Sequence, residues 1–350
     1  RRGPRGLLCN RFKLVRKSAM RAAKFLDDFT WPSHPARFSG FSAAAGVAND
    51  HPQLAYGGHV SLSEDSALVD ADTRFDLASI TKLFTATVAA ILAATDRIDL
   101  SAPIGSWMEP GQDLASLTSI ELLTHTSGLP DAWPEMPTRL QTIDSLLSLT
   151  PDPAQRGQIL YACTGYSLFA LGLEQKLGIG FDQIVSELIL DPLGLSRTGF
   201  RPVIGSDKLA VSCGPDEDIA AGTVHDPRAR HLGGVSGNAG LFSTAENLFR
   251  FLSEVVSGKA GVVNDRAREM LFTPVASDQW DQAIGFRHND QARLGRNRHF
   301  FSHTGFTGTL AMVNPKTEEI AVMLSNRLVC DTTREEMAEI YRGFSEAVAK

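Results

Sequence analysis

The sequence predicts an α+β fold in which one sheet carries a mostly helical insertion and both chain ends pack on that sheet. Three observations predict it. Short β-like runs stand near the start (Phe38 to Ala48, Leu54 to Leu62) and near the end (Phe300 to Val313, Glu319 to Leu328). Between them, residues 98–232 read as helical patches broken by prolines. Helix-like stretches bracket the whole, Arg21 to Phe29 first and the amphipathic span from Arg334 to Lys350 last. The expected division is a basic, disordered extension over 1–19, a discontinuous sheet domain over 20–97 and 233–350, and the helical insertion over 98–232.

In order, the first helix ends before Trp31-Pro32, where a proline restricts its neighbour. Asn49-Asp50-His51-Pro52 separates the first two β-like runs as a turn cluster. The stretch from Leu83 to Ala94 is apolar or small nearly all round, the pattern of a buried central helix. Within the insertion, Ser119 to Thr124, Gly165 to Leu177 and Phe181 to Leu190 are expected helices. A glycine-rich loop, Gly233 to Gly240, then feeds a helix beginning Ser243-Thr244-Ala245-Glu246, where Ser243 and Glu246 have capping-box spacing. Asn314-Pro315-Lys316-Thr317 is the hairpin turn between the last two β-like runs.

Composition narrows the function classes. The 350 residues are 43% hydrophobic and 21% charged, ordinary for a globular chain. Residues 1–24 carry nine Arg or Lys and no Asp or Glu, so the net charge of −6 leaves −15 on the rest. An acidic body argues against a nucleic-acid surface. No stretch approaches the ~20 apolar residues of a membrane span. The basic head lacks an apolar core of signal-peptide length. That favours a cytoplasmic location, or a secreted or periplasmic one if the N-terminus lies further upstream. Cys9, Cys163, Cys213 and Cys330 stand far apart, and the nine histidines show no metal-ligand spacing, so neither a metal nor a cofactor is expected.

The chemistry starts at Asp76-Leu77-Ala78-Ser79-Ile80-Thr81-Lys82. Residues three apart share a helix face, so Ser79 and Lys82 can meet. A free serine hydroxyl is a weak nucleophile and needs such a partner. The helix start and burial both discourage protonation, so a partly neutral Lys82 is expected near pH 7. Tyr161-Ala162-Cys163 precedes a helix, and a tyrosine there can take a proton if a neighbouring ammonium lowers its pKa from about 10. His303-Thr304-Gly305 opens a β-like run. A strand beside the nucleophile can offer N–H groups to an oxyanion, and Gly305 would let a substrate lie close. His303 would hold a carboxylate when charged or hydrogen-bond when neutral.

In this order and separation, Ser79-x-x-Lys82, Tyr161-x-Cys163 and His303-Thr304-Gly305 resemble the three active-site boxes of serine β-lactamases and penicillin-binding DD-peptidases. Phe75 to Ser79, Leu122 to Pro130, Asp191 to Leu195, and Val224-His225-Asp226 with Leu232 to Val235 are similar to that superfamily as well, so the resemblance covers about residues 25–349. It implies a β-lactamase/transpeptidase-like fold, an antiparallel sheet flanked by N- and C-terminal helices with a mostly helical inserted domain. It also implies an acyl-enzyme on Ser79, with Lys82 and Tyr161 sharing the proton work, tyrosinate or neutral lysine being the base. The oxyanion hole would be the backbone N–H groups of Ser79 and Phe306, and Cys163, His303, Thr304 and Gly305 would contact substrate. His125 would hold a loop.

The superfamily usually places asparagine or another polar residue where Cys163 stands. An asparagine can bond the acylamide of a penicillin or peptide, and a thiol does this poorly. The expected function is therefore an esterase-like serine hydrolase acting on a small ester or amide. The alternatives are a β-lactamase or D-alanyl-D-alanine carboxypeptidase (a D-amino-acid peptidase), and a non-catalytic penicillin- or peptidoglycan-binding relative.

Overall fold

The computed structural model describes residues 20–349 apart from 31, 32, 34, 35, 132, 135, 207, 215 and 218; the extension expected over 1–19 lies outside the described residues. A helix over residues 20–27 (α1) leads into β1 (Gly40–Val47) and β2 (Gln53–Gly58). β3 (Phe75–Asp76) passes through a 3₁₀ turn, Ala78–Ile80, into the buried helix α2 (Thr81–Ala94). Then come α3 (Ser119–Leu123), α4 (Arg139–Leu147), α5 (Cys163–Leu177), α6 (Phe181–Val185) with a π turn at Ser186–Leu190, β4 (Gly199–Phe200) and α7 (Pro227–His231). β5 (Leu241–Ser243), α8 (Ala245–Ser257) and α9 (Asp265–Phe272) return the chain towards the sheet. The last part holds β6 (Ala276–Ser277), β7 (Asp281–Gln282), β8 (Arg287–His288), α10 (Gln291–Leu294), β9 (Phe301–Gly305), β10 (Thr309–Asn314), β11 (Glu319–Ser325) and α11 (Arg334–Val348).

Eight strands form one sheet in the order β2-β1-β11-β10-β9-β8-β7-β6, with every pairing antiparallel. Successive strand residues point to opposite faces, and both faces are covered. Ala43, Ala45, Leu310 and Met312 join one core with Leu26 of α1 and Met337, Ile340 and Phe344 of α11. Ala44, Ala311, Val313 and Val322 join the other, with α2 and α8. Both terminal helices thus pack on the sheet, as expected; they share one face of it, where Arg21 Nε donates to the Ala347 carbonyl at 3.1 Å. Among the described residues, no helix is long and apolar enough to cross a membrane.

Three details depart from expectation. The β-like run over Phe300 to Val313 is two strands, because Phe306-Thr307-Gly308 turns the chain back, with Gly308 at φ +99°. The cap of α8 is Thr244, whose side chain accepts from Asn247 N; Ser243 is the last residue of β5, paired with Phe75. The short strands β6 to β8 extend the sheet from a region whose sequence shows no alternation. They are two residues each, too short to carry a period.

A candidate active site built on the Ser79 turn

Asp76 sets the turn that presents Ser79. Its carboxylate, 2% exposed, accepts from Ala78 N (2.8 Å) and from His225 N (2.7 Å). Burial pushes its pKa up to about 6, against those two N–H groups, which lower it. Ala78 adopts φ +44°, a strained conformation for a residue with a Cβ. The surroundings hold it there: Leu77 N donates to Leu241 O, Thr307 Oγ1 to Asp76 O, and Thr309 Oγ1 to Leu77 O. Ser79 lies in this 3₁₀ turn, just ahead of α2.

Ser79 Oγ accepts two hydrogen bonds, one from Lys82 Nζ at 2.9 Å and one from Tyr161 Oη at 2.8 Å. Lys82 is fully buried. Its other protons go to the Asn238 carbonyl at 3.2 Å and the Cys163 thiol at 3.4 Å, so all three ammonium donors are engaged. Burial works against the ammonium, but Cys163 and Tyr161, as they ionise, outweigh it and raise the lysine pKa. That upward direction, with three acceptors within 3.4 Å of Nζ, favours the ammonium over the expected partly neutral Lys82. Burial raises Tyr161 above the ordinary phenol value, with Lys82 and Arg287 pulling the other way. Cys163 is likewise raised by burial, so it rests as a thiol.

The third box is in place on β9, beside the Ser79 turn. His303 is buried, and its Nδ1 donates to the Thr304 carbonyl at 2.9 Å. Burial, then Arg287 and Lys82, hold its pKa well below the imidazole value. Of the two expected states this direction favours the neutral one, in which His303 acts by hydrogen bonding. Gly305 follows on the same strand, packed against the nucleophile turn. A Cβ there would lie 2.1 Å from Thr309 Oγ1 and 2.5 Å from Leu77 O, so the absent side chain is what lets β9 pack against the nucleophile turn. Phe306 follows in the turn, with its carbonyl accepting from Arg327 Nε and its half-exposed ring stacked on His225 at 5.0 Å. Guanidinium carbons of Arg327 and Arg334 lie 4.4 and 4.8 Å from that ring.

His125 takes the position expected of a loop-holder. At φ +59° it sets Nδ1 3.1 Å from both the amide and the carbonyl of Ala162, beside Tyr161. Two contributors had no assigned role in the sequence. Asn238, in the glycine-rich loop, gives its carbonyl to Lys82, while its side chain accepts from Ser167 and Ser236 and donates to Asp226. Gly237 admits that loop, since a Cβ would sit 2.2 Å from the Tyr166 carbonyl. The other is Arg287 on β8, whose guanidinium carbon lies 4.9 Å from the Tyr161 ring centroid. The loop's glycines were a visible signal; a lone arginine gave none. Among the described residues, no group of three or more His, Cys, Asp or Glu could hold a metal ion.

An antiparallel sheet with helices on both faces, and a buried lysine set against a serine at its centre, defines a β-lactamase-fold serine hydrolase. The chain belongs to the beta-lactamase family, whose model matches residues 36–342. It is 28% identical to an Escherichia coli (strain K12) protein named "Putative D-alanyl-D-alanine carboxypeptidase", over 78% of this chain and 73% of that one. It is 27% identical to the N-acetylmuramyl-L-alanine amidase of Bacillus subtilis (strain 168), over 73% and 68%. The fold is shared with a class C beta lactamase from Rhodobacter sphaeroides (TM-score 0.74, 17% identity, 96% of this chain and 100% of that one). It is shared too with a D-amino acid amidase from Ochrobactrum anthropi SV3 (TM-score 0.72, 20% identity, 95% and 98%).

Proposed function

We propose that the protein hydrolyses a small ester or amide through an acyl-enzyme on Ser79, with Tyr161 as the proton acceptor. The observation that carries this reading is the pair of short hydrogen bonds converging on Ser79 Oγ from Lys82 and Tyr161. When the Tyr161 phenol loses its proton, the Ser79 hydroxyl can turn and donate to it. As Tyr161 takes the Oγ proton, Oγ attacks the carbonyl carbon and the carbonyl electron pair moves to oxygen. That pair then returns, the bond from the carbonyl carbon to the alkoxy or amino group breaks, and the proton held by Tyr161 passes to the departing alcohol or amine. Water repeats the sequence to release the acid. Lys82 stays an ammonium and stabilises the tyrosinate. Backbone N–H groups of Ser79 and Phe306 are the proposed oxyanion donors.

Simple esters are the preferred substrates in this reading, because the Cys163 thiol faces Lys82 and makes a poor acceptor for a substrate amide. D-amino-acid peptides or amides are the second reading, supported by the names of the relatives. Intact-protein mass spectrometry after a fluorophosphonate, followed by peptide mapping, tests the nucleophile: an adduct on Ser79 is expected, and none there overturns the enzyme reading in favour of a binding relative. Rates on p-nitrophenyl butyrate, nitrocefin and a D-Ala-D-Ala peptide then rank the substrate classes.

A further inference from the structure

Arg287 is 4% exposed, yet its Nε and Nη1 make no hydrogen bond among the described residues. The nearest carboxylate, Asp290, lies 3.8 Å from Nη1 and is bonded instead to Arg293 at 2.8 Å. A buried guanidinium without a bonded carboxylate is costly unless something else offsets its charge. What lies against it is aromatic: its central carbon is 4.9 Å from the Tyr161 ring centroid and 4.5 Å from that of Trp280. Such contacts strengthen when water is excluded, and a ring bearing a negative charge attracts the cation more than a neutral phenol does.

We propose that Arg287 is a positioning residue for the Ser79 reaction, its guanidinium held over the Tyr161 ring as the buried counter-charge that favours tyrosinate over phenol. The groups facing Tyr161 from each neighbouring element leave room for this role. Lys82 of α2 is a cation and the larger influence; Cys163 of α5 pushes the phenol pKa up, and Tyr166 of α5 brings no positive charge. His125, after α3, and His303 of β9 are neutral, because burial holds both well below the imidazole range. The third box thus carries no charge of its own, although the pattern it resembles has lysine there. The adjacent strand supplies one: β8 pairs with β9 through Arg287 and Ser302. Arg287 keeps its proton throughout, while the Ser79 proton passes to Tyr161 as the Oγ–acyl bond forms.

This inference rests on Tyr161 as the proton acceptor, so the test reads tyrosine ionisation separately from turnover. The chain has only four tyrosines. Replacing them with 3-fluorotyrosine makes the phenols more acidic and gives four ¹⁹F signals, with Tyr161→Phe assigning the one of interest. In Arg287→Gln the Tyr161 titration midpoint is expected to move up by about one pH unit, a tenfold loss of tyrosinate at a given pH. Arg287→Lys should recover part of that shift. Trp280→Leu, which keeps Arg287 and opens its outer side to water, should raise the midpoint by less. A midpoint unchanged in Arg287→Gln overturns the proposal; if that variant does not fold, an unchanged midpoint in Trp280→Leu does so. A shifted midpoint together with full activity of Tyr161→Phe would instead overturn the base assignment and leave the Arg287 contact standing.

Discussion

Lys82 Nζ donates to Cys163 Sγ at 3.4 Å, so the thiol is one of three acceptors around the buried ammonium. It is the weakest of the three. A serine oxygen and a backbone carbonyl accept protons well, whereas sulfur accepts poorly. Cys163 thus packs against the ammonium while staying partly exposed. It sits where a stronger acceptor would both anchor Lys82 and leave an amide N–H free for a ligand.

Cys163→Asn should therefore change selectivity. The new side-chain oxygen can accept from Lys82, a charge-assisted bond, and its NH₂ can donate to a substrate amide. One added hydrogen bond is worth about 0.5–1.5 kcal/mol net, so the rate on a D-Ala-D-Ala peptide relative to p-nitrophenyl butyrate is expected to rise roughly two- to tenfold. A ratio that does not move would separate Cys163 from substrate choice.

Tyr161→Phe removes only a hydroxyl and keeps the ring against His125. Loss of a general base typically lowers kcat by about 10²–10⁴-fold. Steady-state hydrolysis of p-nitrophenyl butyrate measures it, and an unchanged kcat would take the phenol out of the mechanism.

The pH profile follows from the same group. Burial raises the Tyr161 pKa above that of a free phenol, so below that value the tyrosinate fraction grows about tenfold for each pH unit. We expect kcat/KM to climb between about pH 7 and pH 9. No step is expected near the ordinary imidazole pKa, because burial keeps His125 and His303 neutral there. A plateau from about pH 7 upward would show that the base is already ionised.

Gly305→Ala should damage the nucleophile turn itself. The added carbon would lie 2.5 Å from the Leu77 carbonyl, and backbone cannot yield as a flexible side chain does. Overpacking of this kind costs about 1–3 kcal/mol, and the displaced part carries Ser79. The expected result is a lower unfolding midpoint in urea together with a fall in kcat of at least about tenfold. Wild-type behaviour in both would mean that the turn and β9 can move apart freely.

Asp76 predicts a pH dependence of stability. Its folded pKa is about 6, above the unfolded value of about 3.9. Between the two, the folded chain keeps a proton that the unfolded chain has released. Its contribution is therefore fully present below about pH 4, falls as pH rises towards 6, and is gone above that, a loss of roughly 3 kcal/mol. Asp76→Asn lacks this titration, though it also weakens one of the two bonds to Ala78 and His225. Urea melts of both proteins at about pH 4.5 and 7.5 are the measurement. The wild type should lose more stability across that interval than the variant, and parallel losses would show that Asp76 does not titrate there.

Much of the site was legible because its parts are local. Ser79 and Lys82 meet through helix geometry three residues apart, and α2 is apolar all round as a central helix must be. The hairpins β1–β2 and β10–β11 were visible as β-like runs parted by turn residues, and the last helix by its amphipathic pattern. β6 to β8 were not, since two-residue strands have no pattern. The α8 cap moved by one residue because Ser243 was taken into a strand pairing with Phe75, a distant contact in the chain that no local spacing reveals.

The sequence by itself determined the reacting groups: a serine with a lysine one helical turn on, a tyrosine ahead of a helix, and a glycine strand, in the order of one family. Tertiary structure decided their charge states and directions. Lys82 finds Asn238 across 156 positions and Ser79 finds Tyr161 across 82. Those closures place the ammonium among acceptors, turn Gly305 towards the nucleophile, neutralise His303 by burial, and bring Arg287 over the tyrosine. Residue spacing can bring neighbours together within one turn of helix. Burial and through-space charge, which set pKa values, exist only once the sheet and the helices have closed around the site.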